Sequence, residues 1–212
     1  MSRTSAPTRS TAALLPALLL AVCCLGAKVS RLVPPEPVAP LSVSGKRVSV
    51  PAGGLDIAFE VLEAPERVRF LEECGAGVGQ DPFAPDPGGR FRFATFRFDL
   101  ANRTREEVTL HPAGVLAIVD DTPHFPLEYT AAYEHFVSRR RLDPALLESL
   151  QKCVFLETIV LPAGGRTSGL LAFRDLPERF KKFRIAGGNI LVGAESRSFM
   201  IPFGVKQEKA GK

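Results

Sequence analysis

The sequence predicts a mainly β protein, a β-sandwich of eight to ten strands with a short insertion of two helices. Most apolar segments beyond residue 45 are short, alternate with a period of two, and are separated by Gly, Pro and Asn, a pattern typical of sandwiches and barrels. One region, 129–151, has helical spacing instead. About 170 residues remain beyond the N-terminal leader and a proline-rich stretch, which suits one domain with a sizeable core.

The first 27 residues predict an export signal. Two arginines precede an apolar run, 12–22, which is followed by Cys23, Cys24 and small residues. This is the order of a charged region, a hydrophobic region and a processing site. The segment before Cys23 partly matches a bacterial lipoprotein signal, so Cys23 or Cys24 is the expected lipidation site. Simple cleavage near Ala27 and a retained membrane anchor stay open as alternatives.

Composition divides the rest of the chain into three parts. Residues 28–44 are rich in proline and predict an extended, semi-rigid tether. Residues 45–205 contain the alternating segments and predict the β-sandwich domain. Residues 206–212 are polar and predict a frayed tail.

Alternation assigns the strands. Residues 55–62 alternate between apolar and polar side chains, which predicts a strand with one buried face. Residues 90–102 alternate in the same way from Ala94 onward, but Phe91 and Phe93 have the opposite parity, which predicts a bulge near Ala94. The other predicted strands are 108–112, 115–119, 154–161, 169–173, 180–185, 190–192 and 198–205.

Two helices interrupt the strands. The first is predicted by apolar residues at positions i, i+3, i+4, i+7 and i+8. Its stripe consists of Tyr129, Ala132, Tyr133, Phe136 and Val137. The second is predicted to begin at Pro144, with Asp143 as its N-cap.

Cys74 and Cys153 are the two cysteines beyond the leader. Export into an oxidising compartment predicts a disulfide between them. Two buried thiols are the alternative, because Cys153 lies in an apolar segment that resembles a strand interior. The segment 74–89, rich in Gly and Pro, predicts a long mobile loop. Its glycines lack the spacing of a phosphate-binding loop.

No residue pattern predicts catalysis or a cofactor. The histidines, among them His124 and His135, lack the spacing of a metal site and are expected at the surface. We therefore expect no metal and no cofactor. Tyr129 and Tyr133 are the residues expected to border a ligand cleft, if one exists between the helices and a sheet.

Two stretches carry a resemblance to a known family. The first runs from Phe96-Arg-Phe-Asp-Leu-Ala-Asn-Arg-Thr through Val108-Thr-Leu-His-Pro to Leu116-Ala-Ile-Val-Asp-Asp, and the second is Leu161-Pro-Ala-Gly-Gly-Arg-Thr-Ser-Gly-Leu-Leu-Ala-Phe. Together they resemble the immunoglobulin-like domains of uncharacterised secreted bacterial lipoproteins. The resemblance covers about residues 90–203 and implies an immunoglobulin-like sandwich and an exported protein. Ala163 and the two helices depart from the family pattern, which has no catalytic residues to transfer.

These observations predict a non-enzymatic protein of the bacterial cell envelope, membrane-anchored or free in the periplasm or outside the cell, which binds another envelope protein. A lipid anchor would attach it to the membrane. Arg3 and Arg9 supply two of the net charges of +4, and the remaining +2 does not favour nucleic acid. The alternative is an envelope enzyme, or a metal- or ligand-binding protein, that uses the region of His124 and His135.

Overall fold

The computed structural model describes residues 28–85, 92–139 and 143–209. Within these residues the protein is mainly β, as predicted, and its strands form two antiparallel sheets. The strands are β1 Lys28–Val33, β2 Ser42–Ser44, β3 Arg47–Ala52, β4 Leu55–Val61, β5 Ala94–Asn102, β6 Val108–Leu110, β7 Val115–Val119, β8 Thr122–His124, β9 Ile159–Leu161, β10 Arg166–Phe173, β11 Phe183–Val192 and β12 Glu195–Lys209.

The chain passes repeatedly between the two sheets. One sheet has the order β10-β5-β4-β3-β2. The other has the order β1-β12-β11-β6-β9, with β7 also paired to β11 and β8 paired to β7. The first half of β11 pairs with β7 and its end pairs with β6, with a register shift between Gly187 and Ile190. Gly187 is required there, because a Cβ atom would lie 2.0 Å from the Phe199 ring.

A phenylalanine cluster joins the inner faces of the two sheets. Phe59 of β4 lies 5.6 Å from Phe199 of β12, measured between ring centroids, and Phe96 of β5 lies 5.3 Å from Phe203. All four rings are buried. Aromatic pairs at this separation add to the hydrophobic stabilisation of a core. The two sheets therefore pack face to face around one main core.

Three helices build a second core on the outer face of the five-stranded sheet. They are α1 Ala64–Glu73, α2 Tyr129–Tyr133, which continues as a π-helical turn Glu134–Arg139, and α3 Pro144–Gln151. Leu170 and Ala172 of β10 pack in this cluster with Leu71 of α1, Phe136 of the π-helical turn and Leu150 of α3. The helices thus cover the end of this face that contains Leu170 and Ala172, which we call the covered half. They leave uncovered the end that contains Asp99 and Ser168, which we call the open half.

The helices at 129–139 and 144–151 confirm the predicted insertion, and Asp143 accepts the predicted capping hydrogen bond from Ala145 N. The predicted stripe of the first helix is wrong in part. Tyr129 and Tyr133 are 40% and 45% exposed, whereas Ala132 and Phe136 of the same stripe are buried. The helix α1 was not predicted, because a buried arginine occupies a core position and interrupts the apolar spacing.

Parts of the predicted tether, 28–33 and 42–44, and part of the predicted tail, 206–209, are paired in strands and are not free. All six residues of β1 pair with β12, from Lys28 opposite Lys209 to Val33 opposite Gly204. Residues 42–44 pair with β3. These pairs satisfy backbone groups of residues that the proline-rich composition had suggested were extended in solvent. Residues 210–212 lie outside the described residues.

The segment 74–89 is not the mobile loop that was predicted, as far as the structure describes it. Ala76, Val78 and Phe83 are buried in the second core, and residues 86–91 lie outside the described residues. Three buried apolar residues fix the path of residues 76–83 against the helices, although this segment has no regular secondary structure.

Other strand boundaries also differ. The predicted strand 154–161 is limited to β9, and Cys153 lies in a turn after α3 rather than inside a strand. The predicted bulge near Ala94 is replaced by a strand that begins at Ala94. Phe93 precedes the strand and packs against Phe83, with 5.3 Å between ring centroids.

Candidate functional site

The open half of the five-stranded sheet forms a trough whose floor is a row of small residues, four of them polar. The strand registers align one residue from each strand in a single row across the sheet. This row consists of Ser42, Ser49, Ala58, Asp99 and Ser168. Adjacent strands are about 4.8 Å apart, so the row is about 19 Å long.

Four arginines border the trough. Arg47 and Arg97 lie on one side of the floor, where both are opposite Glu60 in the registers. Arg103 and Arg166 lie on the other side, where β5 ends and β10 begins. The enclosed volume is about 830 Å³. A guanidinium group has five N–H donors in a planar arrangement, which suits carboxylates and phosphates.

Asp99 holds the first pair of arginines in place. Arg47 Nη1 donates to Asp99 Oδ2, and Arg97 Nε donates to Asp99 Oδ1 and to Ser168 Oγ, each at 3.2 Å. Burial acts to raise the pKa of Asp99. Hydrogen bonds from Ser168 and Arg47, with the charges of both arginines, outweigh burial and hold this pKa below its ordinary value of 3.8. Asp99 is therefore ionised at neutral pH.

The helix α1 supports one wall of the trough. The guanidinium carbon of Arg97 lies 5.8 Å from the centroid of the Phe70 ring on α1. This distance is within the range of a cation–π interaction. The covered half of the sheet therefore helps to position a charged side chain of the open half.

The second pair of arginines is less constrained. Arg103 Nε donates to Asp56 Oδ2, and both side chains are exposed. Arg166 is exposed, and its side chain forms no hydrogen bond or ion pair within the described parts of the chain. Most N–H donors of these two side chains point to solvent and are available to a ligand.

The buried Arg67 on α1 has a structural role instead. Its Nε donates to Asp81 Oδ1 at 2.9 Å, Nη2 donates to Asp81 Oδ2, and Nη1 donates to Thr95 Oγ1 at 2.8 Å and to Leu62 O at 3.4 Å. A cleft of about 470 Å³ lies beside it. Because its donors are used within the fold, Arg67 has little capacity to bind a ligand in this cleft.

The two histidines of the predicted alternative site lie in different surroundings. His124 lies half-buried on β8, beside Glu128 and Asp175. His135, expected at the surface, is only 4% exposed and lies 5.0 Å from Phe93 between ring centroids. Among the described residues, no group of three or more His, Cys, Asp or Glu side chains could hold a metal ion.

The structure describes four of the six cysteine and tyrosine residues that the sequence singled out, namely Cys74, Cys153, Tyr129 and Tyr133. Cys74 and Cys153 are brought into contact as free thiols, so the disulfide stays a prediction. Burial raises the pKa of the Cys153 thiol to about 12, and its hydrogen bond with Cys74 adds to this effect.

Tyr129 and Tyr133 lie on the exposed surface of α2. The lipidation candidates Cys23 and Cys24 lie outside the described residues.

Sequence reasoning missed the arginine-lined trough. The available signal was the composition of the polar positions in three strands: Arg47 and Ser49 in β3, Arg97 and Asp99 in β5, and Ser168 in β10. Alternation placed Arg97 and Asp99 on the polar face of their strand, but residues 47–52 were not predicted as a strand and the predicted strand 169–173 begins after Ser168. Alternation could not show that the strands are neighbours, because pairing between β5 and β10 spans more than 60 residues.

Comparisons with known proteins give two distant likenesses. No family model matches the chain, and no curated protein matches it. Among the described residues, no helix has the length and apolar character needed to cross a membrane. Of the solved structures, the yjhA protein from Bacillus subtilis is 9% identical, with a TM-score of 0.31 over 71% of this chain and 79% of that chain. A functionally unknown protein from Listeria monocytogenes EGD-e is 11% identical, with a TM-score of 0.34 over 85% of this chain and 89% of that chain.

Proposed function

We propose that this chain is an exported, lipid-anchored and non-enzymatic protein of the bacterial cell envelope. In this proposal its domain is an immunoglobulin-like β-sandwich, and the open half of the five-stranded sheet binds another envelope protein. The leader, with Cys23 and Cys24 at its end, supports export and lipid attachment. Two antiparallel sheets that share one core support the sandwich.

The arginine-lined trough is the observation that carries the binding role. Its walls present guanidinium groups with unused donors, and its floor is a row of small residues that a ligand chain can approach closely. Charges that attract an oppositely charged partner also steer its approach and set its orientation. Electrostatic binding of this kind needs no catalytic group.

A site-specific crosslink tests the binding role. A photoreactive amino acid replaces Ser168 on the trough floor of the full-length protein in living bacteria, and Lys206 on the opposite sheet is the control position. We expect a crosslinked envelope protein from position 168, identified by mass spectrometry, and none from position 206. Equal crosslinking from both positions would contradict a specific interaction surface.

Export and lipidation are tested by fractionation and intact mass. We expect the full-length protein in the membrane fraction, with the mass of a processed chain that carries a lipid. A Cys23→Ala or Cys24→Ala substitution should remove the lipid mass, depending on which residue is modified. A soluble cytoplasmic protein that retains its leader would overturn the proposed location.

A further inference from the structure

We propose that the occupant of the trough is an extended acidic segment of the partner protein, about six residues long. This inference rests on the proposed function and adds the chemistry of the partner. The segment would cross β2, β3, β4, β5 and β10 along the floor, with its carboxylates directed to the arginines on both sides. The chemistry of the floor, the walls and the length of the row each support this occupant.

The floor suits the backbone of a peptide. Ser42, Ser49 and Ser168 carry hydroxyl groups, which both donate and accept hydrogen bonds. Asp99 is ionised and is 18% exposed at its side chain. Two arginines and Ser168 use three of the roughly four acceptor positions of its carboxylate. The free position and the hydroxyls can pair with the N–H and C=O groups of a peptide.

The walls suit carboxylates. Arg47, Arg97 and Arg103 each use one N–H group in hydrogen bonds within the described residues, and Arg166 uses none. The lining contains four arginines against two aspartates, so its formal charge is 4 − 2 = +2. An acidic ligand would therefore gain attraction on both sides of the floor. A lysine-rich ligand would be repelled.

The same features disfavour other polymers. None of the described residues that line the trough is aromatic, so the floor offers no stacking surface for nucleic-acid bases or sugar rings. A phosphate polymer would match the arginines, but it carries its negative charges on the backbone and would hold them over Asp99 on the floor. A peptide carries its carboxylates on side chains that point away from the floor to the walls. The phosphate polymer also lacks N–H donors for the Asp99 carboxylate. The combination of acceptors on the floor and cations at the sides favours a peptide.

The length of the row sets the size of the segment. An extended peptide advances about 3.3 Å per residue, so six residues span the row of about 19 Å. Successive side chains of such a peptide point to opposite sides. An acidic residue at neighbouring positions therefore reaches both walls of the trough.

Fluorescence anisotropy of the full-length protein in detergent tests the inference. The probe is a labelled octapeptide with the repeat Glu-Glu-Ser-Ser, which places Glu on both sides of the extended chain, and the controls are the Lys-Lys-Ser-Ser analogue and inorganic polyphosphate. We expect the Glu peptide to bind and the Lys peptide not to bind. Arg166→Ala should raise the Kd for the Glu peptide about three- to five-fold, because an exposed charge pair contributes up to about 1 kcal/mol.

Lys206→Ala is the matched control variant, since it removes one exposed positive charge from the opposite sheet. It should leave the Kd unchanged, and raising the salt concentration should weaken binding of the Glu peptide. An equal effect of both variants would overturn the trough as the binding site. Binding of polyphosphate alone, lost in Arg166→Ala, would overturn the peptide but retain the open half as an interaction surface. Failure of every probe would overturn the inference, while the crosslink from position 168 would still decide the proposed function.

Discussion

The two halves of the outer face of the five-stranded sheet use the same strands for opposite purposes. In β10, Leu170 is fully buried under the helices, whereas Ser168, two residues earlier, lies on the open trough floor. Arginine differs in the same way: Arg67 is buried and hydrogen-bonded within the fold, whereas Arg166 is exposed and unpaired within the described residues. Exposure and available donors, not residue type, therefore distinguish a structural arginine from a binding arginine in this sheet.

The largest expected effect is on the covered half. Arg67→Ala leaves the carboxylate of Asp81 buried without its cation, and the loss of one partner of a buried pair costs about 3–5 kcal/mol. Urea denaturation of the purified protein measures this loss in the free energy of unfolding. Arg166→Ala is the control and should change stability by less than about 0.5 kcal/mol. Equal destabilisation by both variants would erase the distinction between the halves.

The second prediction compares two neighbours on β10. Leu170→Ala should lower the free energy of unfolding by about 2–4 kcal/mol, because it removes a fully buried side chain from the second core. Ser168→Ala should lower it by less than about 1 kcal/mol, because the Ser168 hydroxyl lies beside the open trough. Thermal and urea unfolding measure both. A small effect of Leu170→Ala would mean that the helices do not pack tightly on the sheet.

The third prediction concerns the thiols under the covered half. Burial raises the pKa of Cys153 from 9.0 to about 12, so the thiol ionises at lower pH in the unfolded chain than in the folded one. Its contribution to stability is therefore complete below about pH 9 and declines as the pH rises toward 12. Relative to the Cys153→Val variant, the free energy of unfolding of the reduced protein should fall by about 1–2 kcal/mol between pH 9 and pH 10.5.

The same measurement also tests the predicted disulfide. After oxidation, a bridged Cys74 and Cys153 pair has no thiol left to ionise, so the alkaline loss should disappear. The reduced protein and the Cys153→Val variant serve as references in the same buffers. An alkaline loss that persists in a sample treated with a disulfide oxidant would exclude the bridge.

The smallest effect is expected on the open half. The pKa of Asp99 is held below 3.8, so its ion pairs stabilise the fold above that pH and are lost as the pH falls through the lower folded value. The free energies of the native protein and of Asp99→Asn should therefore converge below pH 3.8. The difference at neutral pH should be about 1 kcal/mol or less, because solvent screens these pairs. Asp56→Asn, on the exposed rim, is the control.

The sequence was sufficient to predict what depends on local spacing. The alternation in β4 and β5 correctly placed Phe96 and Phe98 on the inner face, and Asp143 and Pro144 correctly marked the start of a helix. Local spacing failed where a core position is polar. In α1, Arg67 occupies a buried position, so the apolar period is broken, although Pro65 and Glu66 were available as start signals.

The candidate site depends on pairing over long distances and was therefore harder to predict. The trough exists only because β10 pairs with β5, and no property of Arg166 or Ser168 taken alone specifies that partner. The tether prediction failed at residues 28–33 and 42–44 for the same reason. The residues of β1 find their partners in β12, more than 170 positions away, and the prolines that follow them conceal a short strand.

The pairing of β1 with β12 also limits the reach of the domain from a bilayer. In the proposed lipidated form, Lys28 is only four or five residues beyond the acylated cysteine, a distance of at most about 14–18 Å in extended chain. A free tether over residues 28–44 would have added about 50 Å at polyproline spacing. A domain fixed at Lys28 instead stands against the lipid headgroups, so its partner segment must come within one domain's diameter of the membrane surface.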